Sequence, residues 1–448
     1  MVSPHRVVII GGGFAGLSVA RCLRRVAVDV TLVDRRNFHL FQPLLYQVAT
    51  GGLSPANISA PLRSVLKRQK NTRVLLAETH DFNLADRQVI LSDGVLEYDT
   101  LVVATGATHH YFGNDQWQTL APGLKTIEDA TEIRRRIFLA FEAAERATDP
   151  DKVRELLTFV VIGGGPTGVE LAGALAEIAR DTLTHEFRSI DPADARILLL
   201  EGTDQVLPSY PGRLPAKAKK QLEQLGVTVR TGTLVSNITS RQVSIRAGEQ
   251  VEQIPTRTVL WAAGVKASPL AQRIAVLAGV EMDRAGRVPV GSDLSLAQYP
   301  DVFVIGDMAS FVHQSDKPLP GVAPVAMQQG KHVARTIRNR LQGKPNTAFR
   351  YRDYGTMATI GRHRAVAVCG PFKFSGYLAW FAWLLIHVMN LVEFRDRLFV
   401  FLEWAWSYIT WNRGARLITG VDRLPEERDV LSLGPSATVT KPNRRQHR

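Results

Sequence analysis

The chain has very little cysteine: Cys22 and Cys369 are the only two in 448 residues, they lie far apart, and no Cys-x-x-Cys pair occurs. A disulfide framework and a redox-active dithiol are therefore both excluded. Long apolar runs are also lacking. The most apolar stretch, Tyr377 to Val392, falls short of the roughly 20 residues that span a bilayer as a helix, so no crossing is expected. Only six residues precede the first apolar run at Val7, too few for a signal peptide, and synthesis in the cytoplasm is expected. No metal site is expected. What remains is an ordinary globular composition, 45% hydrophobic and 22% charged, long enough for two or three domains. The net charge of +13 suits an anionic membrane surface or nucleic acid equally well. Residues 346–448 carry fifteen Lys and Arg against eight Asp and Glu, so the basic character is concentrated toward the C-terminal end.

The chain contains an internal repeat. Val7-Val-Ile-Ile-Gly-Gly-Gly-Phe-Ala-Gly-Leu17 matches Val160-Val-Ile-Gly-Gly-Gly-Pro-Thr-Gly-Val-Glu170, each an apolar strand running into a glycine turn. A helix-compatible run and a β-rich stretch ending in an acid follow each copy, with Asp34 closing the first and Glu201 the second. Asp99-Thr-Leu-Val-Val-Ala-Thr-Gly106 and Arg257-Thr-Val-Leu-Trp-Ala-Ala-Gly264 extend the likeness to the ends of the copies. Two βαβ dinucleotide-binding units follow. A lone glycine fingerprint is weak, but two in the same strand-turn-helix context make chance turns improbable.

In the first copy Gly11, Gly13 and Gly16 fill the G-x-G-x-x-G positions. Their missing side chains permit a tight turn, close approach of a pyrophosphate and close helix packing, with the helix N-terminus facing the phosphates. Asp34, some 20 residues on, is placed to accept hydrogen bonds from an adenosine ribose. The bland alternative is a solvated strand end. In the second copy Gly163, Gly165 and Gly168 repeat the pattern, and a carboxylate at Glu201 favours NADH over NADPH by repelling a 2′-phosphate, unless Arg213 or Lys217 reaches the site. Asp301-Val-Phe-Val-Ile-Gly306-Asp307 resembles the second FAD motif of two-dinucleotide-domain flavoproteins, whose aspartate binds the ribityl chain. It lies beyond the second copy, so the first domain is expected to be discontinuous.

Taken together these segments resemble the type II, non-proton-pumping NADH:quinone oxidoreductases, over nearly the whole chain to about residue 420. Asn37-Phe-His-Leu-Phe-Gln-Pro-Leu-Leu-Tyr-Gln47-Val-Ala-Thr-Gly51 looks like that family's loop near the flavin, Gly165 to Gly173 like its NADH fingerprint, and Pro320 to Gly330 like its segment beside flavin and quinone. The resemblance implies an α/β fold of two Rossmann-like domains plus a C-terminal helical region. Residues 1–112 and 283–345 would bind FAD, 113–282 NADH and 346–420 a membrane, with 421–448 a disordered basic tail. It implies FAD contacts from Gly11, Gly13, Phe14, Ala15, Gly16, Asp34, Arg35, Gln47, Ala104, Thr105, Gly106, Gly306, Asp307, Val325 and Ala326. NADH contacts would come from Gly163, Gly165, Pro166, Thr167, Gly168, Glu170, Glu201, Ala263 and Gly264. Glu170 would stand near the meeting of nicotinamide and flavin and position the carboxamide or take part in proton movement, although a glutamate early in a helix is also stabilised by the dipole alone. Gln328 matches one of two family glutamines near the quinone. Pro324 stands where the other is common, Asp34 is shorter than the usual glutamate, and Glu393 replaces a common glycine.

Five of the seven tryptophans fall between Trp380 and Trp411, flanked by Arg395, Arg397, Arg413 and Arg416. Two apolar helices, Tyr377 to Val392 and Leu398 to Trp411, are expected. By aromatic spacing alone they read as a buried hairpin or a dimer interface. By resemblance they are a monotopic anchor on the cytoplasmic face of an anionic membrane. The expected reaction carries hydride from NADH to the flavin and two electrons on to a membrane quinone, without proton pumping. The alternative is a soluble NADH oxidase or ferredoxin-type reductase. Nucleic acid is not an expected partner, and a homodimer is left open.

Overall fold

A computed structural model of the chain describes residues 4–392, 394–410 and 413–420. The expected basic tail at 421–448, Glu393 and Trp411 lie outside the described residues, as do the side chains of Arg395 and Tyr408.

The first domain begins with β1 (His5–Ile10), α1 (Phe14–Cys22), β2 (Val28–Asp34), β3 (Thr72–Leu76) and β4 (Thr100–Val103). Val7 to Ile10 are all buried, as a parallel strand covered on both faces requires. The second domain follows with α2 (Ile127–Arg146), β5 (Thr158–Ile162), α3 (Pro166–Glu177), β6 (Arg196–Leu200), β7 (Val227–Arg230) and β8 (Thr258–Trp261). Its parallel sheet runs β7-β6-β5-β8, with Val160 beside Leu198 on one side and Val259 on the other. The chain then returns to the first sheet as β9 (Val302–Val304), which gives the order β9-β4-β1-β2-β3, and leaves it through α4 (Ala323–Leu341). Both sheets reverse direction beside their first strand, which opens a crevice at the carboxyl ends where such folds bind dinucleotides.

A two-stranded antiparallel ribbon, Ala107–His109 against Val265–Ala267, marks where the chain leaves the first domain and where it comes back. The return is earlier than the residue 283 expected from sequence. Ala271, Ile274, Ala275 and Ala278 of the helix that follows the ribbon are already buried in the first core.

Beyond α4, residues expected to belong to a membrane region instead form a three-stranded antiparallel sheet: β10 (Thr356–Gly361), β11 (Arg364–Cys369) and β12 (Phe372–Ser375). This sheet rests on α3 so closely that a β-carbon on Gly173 would lie 1.7 Å from the Ile360 carbonyl oxygen. Then come α5 (Tyr377–Asn390) and α6 (Phe394–Thr410). Among the described residues no helix is long and apolar enough to cross a membrane.

The two final helices divide their apolar residues between two surroundings. Trp380, Trp383, Leu384, Val400 and Trp404 are buried in the core that holds the second domain. Leu378, Phe381, Leu385, Met389, Phe401, Leu402 and Trp406 are exposed. Three of the tryptophans expected to face lipid headgroups thus belong to the protein interior, where the indoles of Trp383 and Trp404 stack at 5.4 Å. The arginines expected to flank an anchor are engaged as well: Arg413 pairs with Glu177, Arg416 with Glu186, and Arg397 donates to the Leu391 carbonyl.

Candidate active site

Each glycine turn is dictated by what a side chain would strike. Gly11 has φ +103°, and a β-carbon there would lie 2.4 Å from the Ala104 carbonyl oxygen; one on Gly16 would lie 1.9 Å from that of Gly11. The second turn is nearly superposable in these terms. Gly163 has φ +106° and meets the backbone nitrogen of Ala263 at 2.6 Å, and Gly168 meets the Gly163 oxygen at 1.8 Å. In contrast, nothing lies within 4 Å of the β-carbon position of Gly13 or of Gly165. These two residues cap α1 and α3 without a side-chain hydrogen bond, so open space stands in front of free helix amides. Both sites therefore fit a dinucleotide pyrophosphate.

The terminal acids act alike. Asp34 accepts from the Gly12 amide at 2.6 Å and the Arg36 amide at 2.7 Å, and Glu201 accepts from those of Gly164 at 2.6 Å and Thr203 at 2.8 Å. Each carboxylate anchors its glycine turn and keeps further acceptor lone pairs. Burial raises the pKa of Asp34, against the pull of those two amides and of Arg36 and exposed Arg35.

Around the first crevice, Thr105 bonds to Ser268 at 2.5 Å and to the Met308 sulfur at 2.8 Å, fixing the Ala104-Thr105-Gly106 turn. Gly306 has φ +74° and presses close to Ala15 and Ala326, while its amide donates to buried Gln329 at 2.7 Å. Ala15 of α1, Gly306 in the turn after β9 and Ala326 of α4 thus come together, with Phe14, Asp307 and Val325 next to them in sequence. In the second domain Gly264 turns at φ +76° against the Phe112 ring, and Pro166 and Thr167 open α3.

Glu170 lies just past the first turn of α3 and faces a cleft of about 70 Å³ built from three parts of the chain. The loop after β2 supplies Tyr46, Gln47 and Thr50. Helix α3 supplies Glu170, Ala174 and Glu177. The C-terminal region supplies Thr359 to Arg362, Trp380, Trp383, Trp404 and Arg413. Burial, opposed only by a long bond from the Thr359 amide at 3.4 Å, pushes the pKa of Glu170 up to about 8. Gln47 is held in this cleft by the Trp404 indole nitrogen, which donates to it at 2.7 Å, and its own amide donates to the Tyr46 hydroxyl at 2.9 Å. Gln328 does not line the cleft; both ends of its amide bond to the backbone of Arg352, at 2.9 and 3.0 Å. Pro324 occupies the first turn of α4, where a helix has no use for the missing N–H. The tryptophans and Arg413 were expected in a membrane anchor rather than in this cleft, and Glu177 was not singled out by sequence. Glu177 did leave a signal, seven residues after Glu170 and so on the same helical face.

Residues 5–330 match the family model for pyridine nucleotide-disulphide oxidoreductases, and residues 354–411 match the NDH2 C-terminal domain. The chain is 44% identical over 424 residues to the type II NADH:quinone oxidoreductase Ndh of Mycobacterium tuberculosis, covering 93% of this chain and 90% of that protein. It belongs to the type II NADH:quinone oxidoreductases. A relative of the same name from Staphylococcus haemolyticus is 30% identical, over 81% of this chain and 89% of its own. The fold of a solved NDH2 from Plasmodium falciparum, in complex with RYL-552, superposes with a TM-score of 0.85 at 19% identity, covering 93% of this chain and 100% of that one. This type II oxidoreductase accordingly binds a flavin and NADH and passes electrons from NADH to quinone. It does so without a dithiol, for Cys22 and Cys369 are both free.

Proposed function

We propose that the flavin is FAD in the first domain, that NADH occupies the second, and that the quinone headgroup enters the cleft at Glu170 from a membrane against which α5 and α6 lie. The carrying observation is the cleft itself, in which Gln47 from the flavin-domain loop, Glu170 from the NADH-domain helix and the tryptophans of the C-terminal helices meet. The flavin supplies the hydride and two-electron chemistry when bound. The chain's own residues bind, orient and exclude water. Gly13 and Gly165 leave room for the two pyrophosphates, and Asp34 and Glu201 receive the riboses. The carboxylate of Glu201 disfavours a 2′-phosphate, and no ion pair joins exposed Arg213 or Lys217 to it among the described residues. Glu170, half protonated near pH 8, is suited to give a proton to a quinone oxygen. The indoles supply the apolar, planar walls that a quinone ring stacks on.

The exposed apolar face of α5 and α6 supports a helix pair lying in the interfacial plane. With a basic chain, the cytoplasmic face of an anionic membrane is the fitting surface. The test has two arms. Heat-released cofactor is identified chromatographically, with FAD expected and FMN overturning the assignment. Flotation with anionic vesicles is compared for the unaltered enzyme and a Leu385→Glu, Met389→Glu variant, which leaves the buried indoles in place. Loss of flotation with retained reduction of a soluble quinone analogue is expected; unchanged flotation removes the membrane face from these helices.

A further inference from the structure

Helix α3 carries more carboxylate than NADH binding needs. Glu170, Ala174 and Glu177 lie at i, i+4 and i+7, all on the face that lines the cleft. Asp181, four residues further along the same face in the short π-helical turn that continues α3, is exposed to solvent. At a rise of 1.5 Å per residue, about 10 Å of helix separates Glu170 from Glu177. Only alanine stands between the two cleft carboxylates, so the open volume runs along the helix from one to the other. Its ≈ 70 Å³ has room for several waters, each needing roughly 10–15 Å³.

Glu177 is held in place with care. A side chain on Gly361 would lie 2.7 Å from its Oε1, and the absence of one leaves the carboxylate resting on the turn between β10 and β11, where the Arg362 amide donates to it. Arg413, from the segment after α6, donates to Oε2 at 2.7 Å and reaches the Thr50 carbonyl at 3.4 Å. Both members of this ion pair are 12% exposed, so the pair keeps a narrow contact with solvent. The charged groups around Glu177 are Arg413, Arg362 and Asp181; around Asp181 they are Arg413, Arg362, Arg180 and Arg364. Tyr210, bonded to Thr356, is the titratable side chain that faces Glu170. Burial raises the pKa values of Glu177 and Asp181 while the arginines lower them.

We propose that Glu177, braced by Arg413, is the middle station of a carboxylate row that brings a proton from solvent at Asp181 through the cleft to Glu170 during quinone reduction. The overall reaction is NADH plus H⁺ plus quinone giving NAD⁺ plus quinol. NADH supplies both electrons and one hydrogen, and one proton per turnover comes from water. When Glu170 gives its proton to a quinone oxygen, an O–H bond forms there and the resulting carboxylate is reloaded through Glu177. Glu177 touches no substrate and acts through Glu170, so it is a positioning residue. The inference rests on the reading that the quinone meets Glu170.

The experiment uses the full-length flavoenzyme, NADH and a soluble short-chain benzoquinone from pH 6 to pH 9. Ferricyanide, which takes electrons and no protons, serves as the reference acceptor. For Glu177→Gln, which keeps the volume and loses the acid, the ratio of quinone to ferricyanide turnover is expected to fall about tenfold at pH 8. The KM for NADH should hold, and the solvent deuterium isotope effect on quinone turnover should rise. Glu177→Asp should recover part of the ratio and carries the test if the glutamine variant does not fold. A ratio within twofold of the unaltered enzyme at every pH overturns the relay, and so does a parallel loss with both acceptors. Glu170→Gln separates the two readings. If it impairs quinone turnover while Glu177→Gln does not, only the relay falls; if Glu170→Gln is itself neutral, the assignment of the quinone to this cleft falls first.

Discussion

Glu170 shows how much of a site is visible in a single residue and how much is not. Its place in a repeated glycine fingerprint, early in the helix that follows the turn, is legible because a βαβ turn fixes both spacing and direction. Its pKa is not legible, since that depends on β10, which returns to α3 from nearly two hundred residues away. The shift has a consequence for stability. An ordinary carboxyl titrates near 4.5 and Glu170 near 8, so between those values the folded state keeps a proton that the unfolded chain has lost. Stability from this group is therefore greatest below pH 4.5 and falls as pH rises through about 8. Glu170→Gln is expected to stabilise the protein at pH 9 by on the order of 5 kcal/mol and to change little at pH 4, read from denaturant midpoints. Equal effects at both pH values would show that the carboxylate is not strained by burial. Asp34 and Glu201 stand out in the sequence as acids closing each βαβ unit, while their bonds to the Gly12 and Gly164 amides appear only in the fold. Gln328 illustrates the reverse: a motif position whose amide is engaged by the Arg352 backbone.

At the scale of elements, the parallel strands were legible because burial on both faces leaves continuous apolar runs, and the turns because glycine is required at positive φ. The sheet of β10 to β12 was hidden by its short strands and mixed polarity, and the resemblance had assigned its residues to a membrane region. The sorting of tryptophans failed for another reason. Helix α5 is apolar on nearly every side, and apolarity alone does not say which side meets protein and which meets lipid. The tightest contact among these elements is Gly173 of α3 against Ile360 of β10. Gly173→Ala cannot be absorbed by a side-chain rotation because the opposing atom is backbone. We expect it to cost about 1–3 kcal/mol in chemical denaturation and to lower quinone turnover more than ferricyanide turnover, since the displaced strand forms a wall of the cleft. Full stability in this variant would mean that the sheet is not pressed on the helix as described.

For the molecule as a whole, the discontinuous first domain follows from the position of Gly306-Asp307 beyond the second repeat, and only the point of return, at the ribbon of Val265–Ala267, had to be read from the fold. A charge of +13 together with an exposed apolar helix pair would give the proposed membrane adhesion two parts that respond differently to salt. The electrostatic part is screened beyond roughly 8 Å at physiological ionic strength and roughly 3 Å at 1 M, whereas burial of apolar side chains persists. Flotation with anionic vesicles is expected to weaken but not vanish at 1 M salt, and flotation with neutral vesicles to be weaker yet nearly salt-independent; complete release by salt would leave the helix pair no part in adhesion. The contact of Arg413 with Glu177 and Thr50 bears on how the enzyme comes into being. A ribosome delivers the two nucleotide-binding units in order, but the residue that braces the cleft emerges after both of them. A nascent chain can thus fold around its cofactors while the cleft still lacks its final brace, and that brace forms only after α5 and α6 have left the ribosome. Translation order by itself keeps a partly made enzyme from having a finished cleft before its two exposed apolar helices are free.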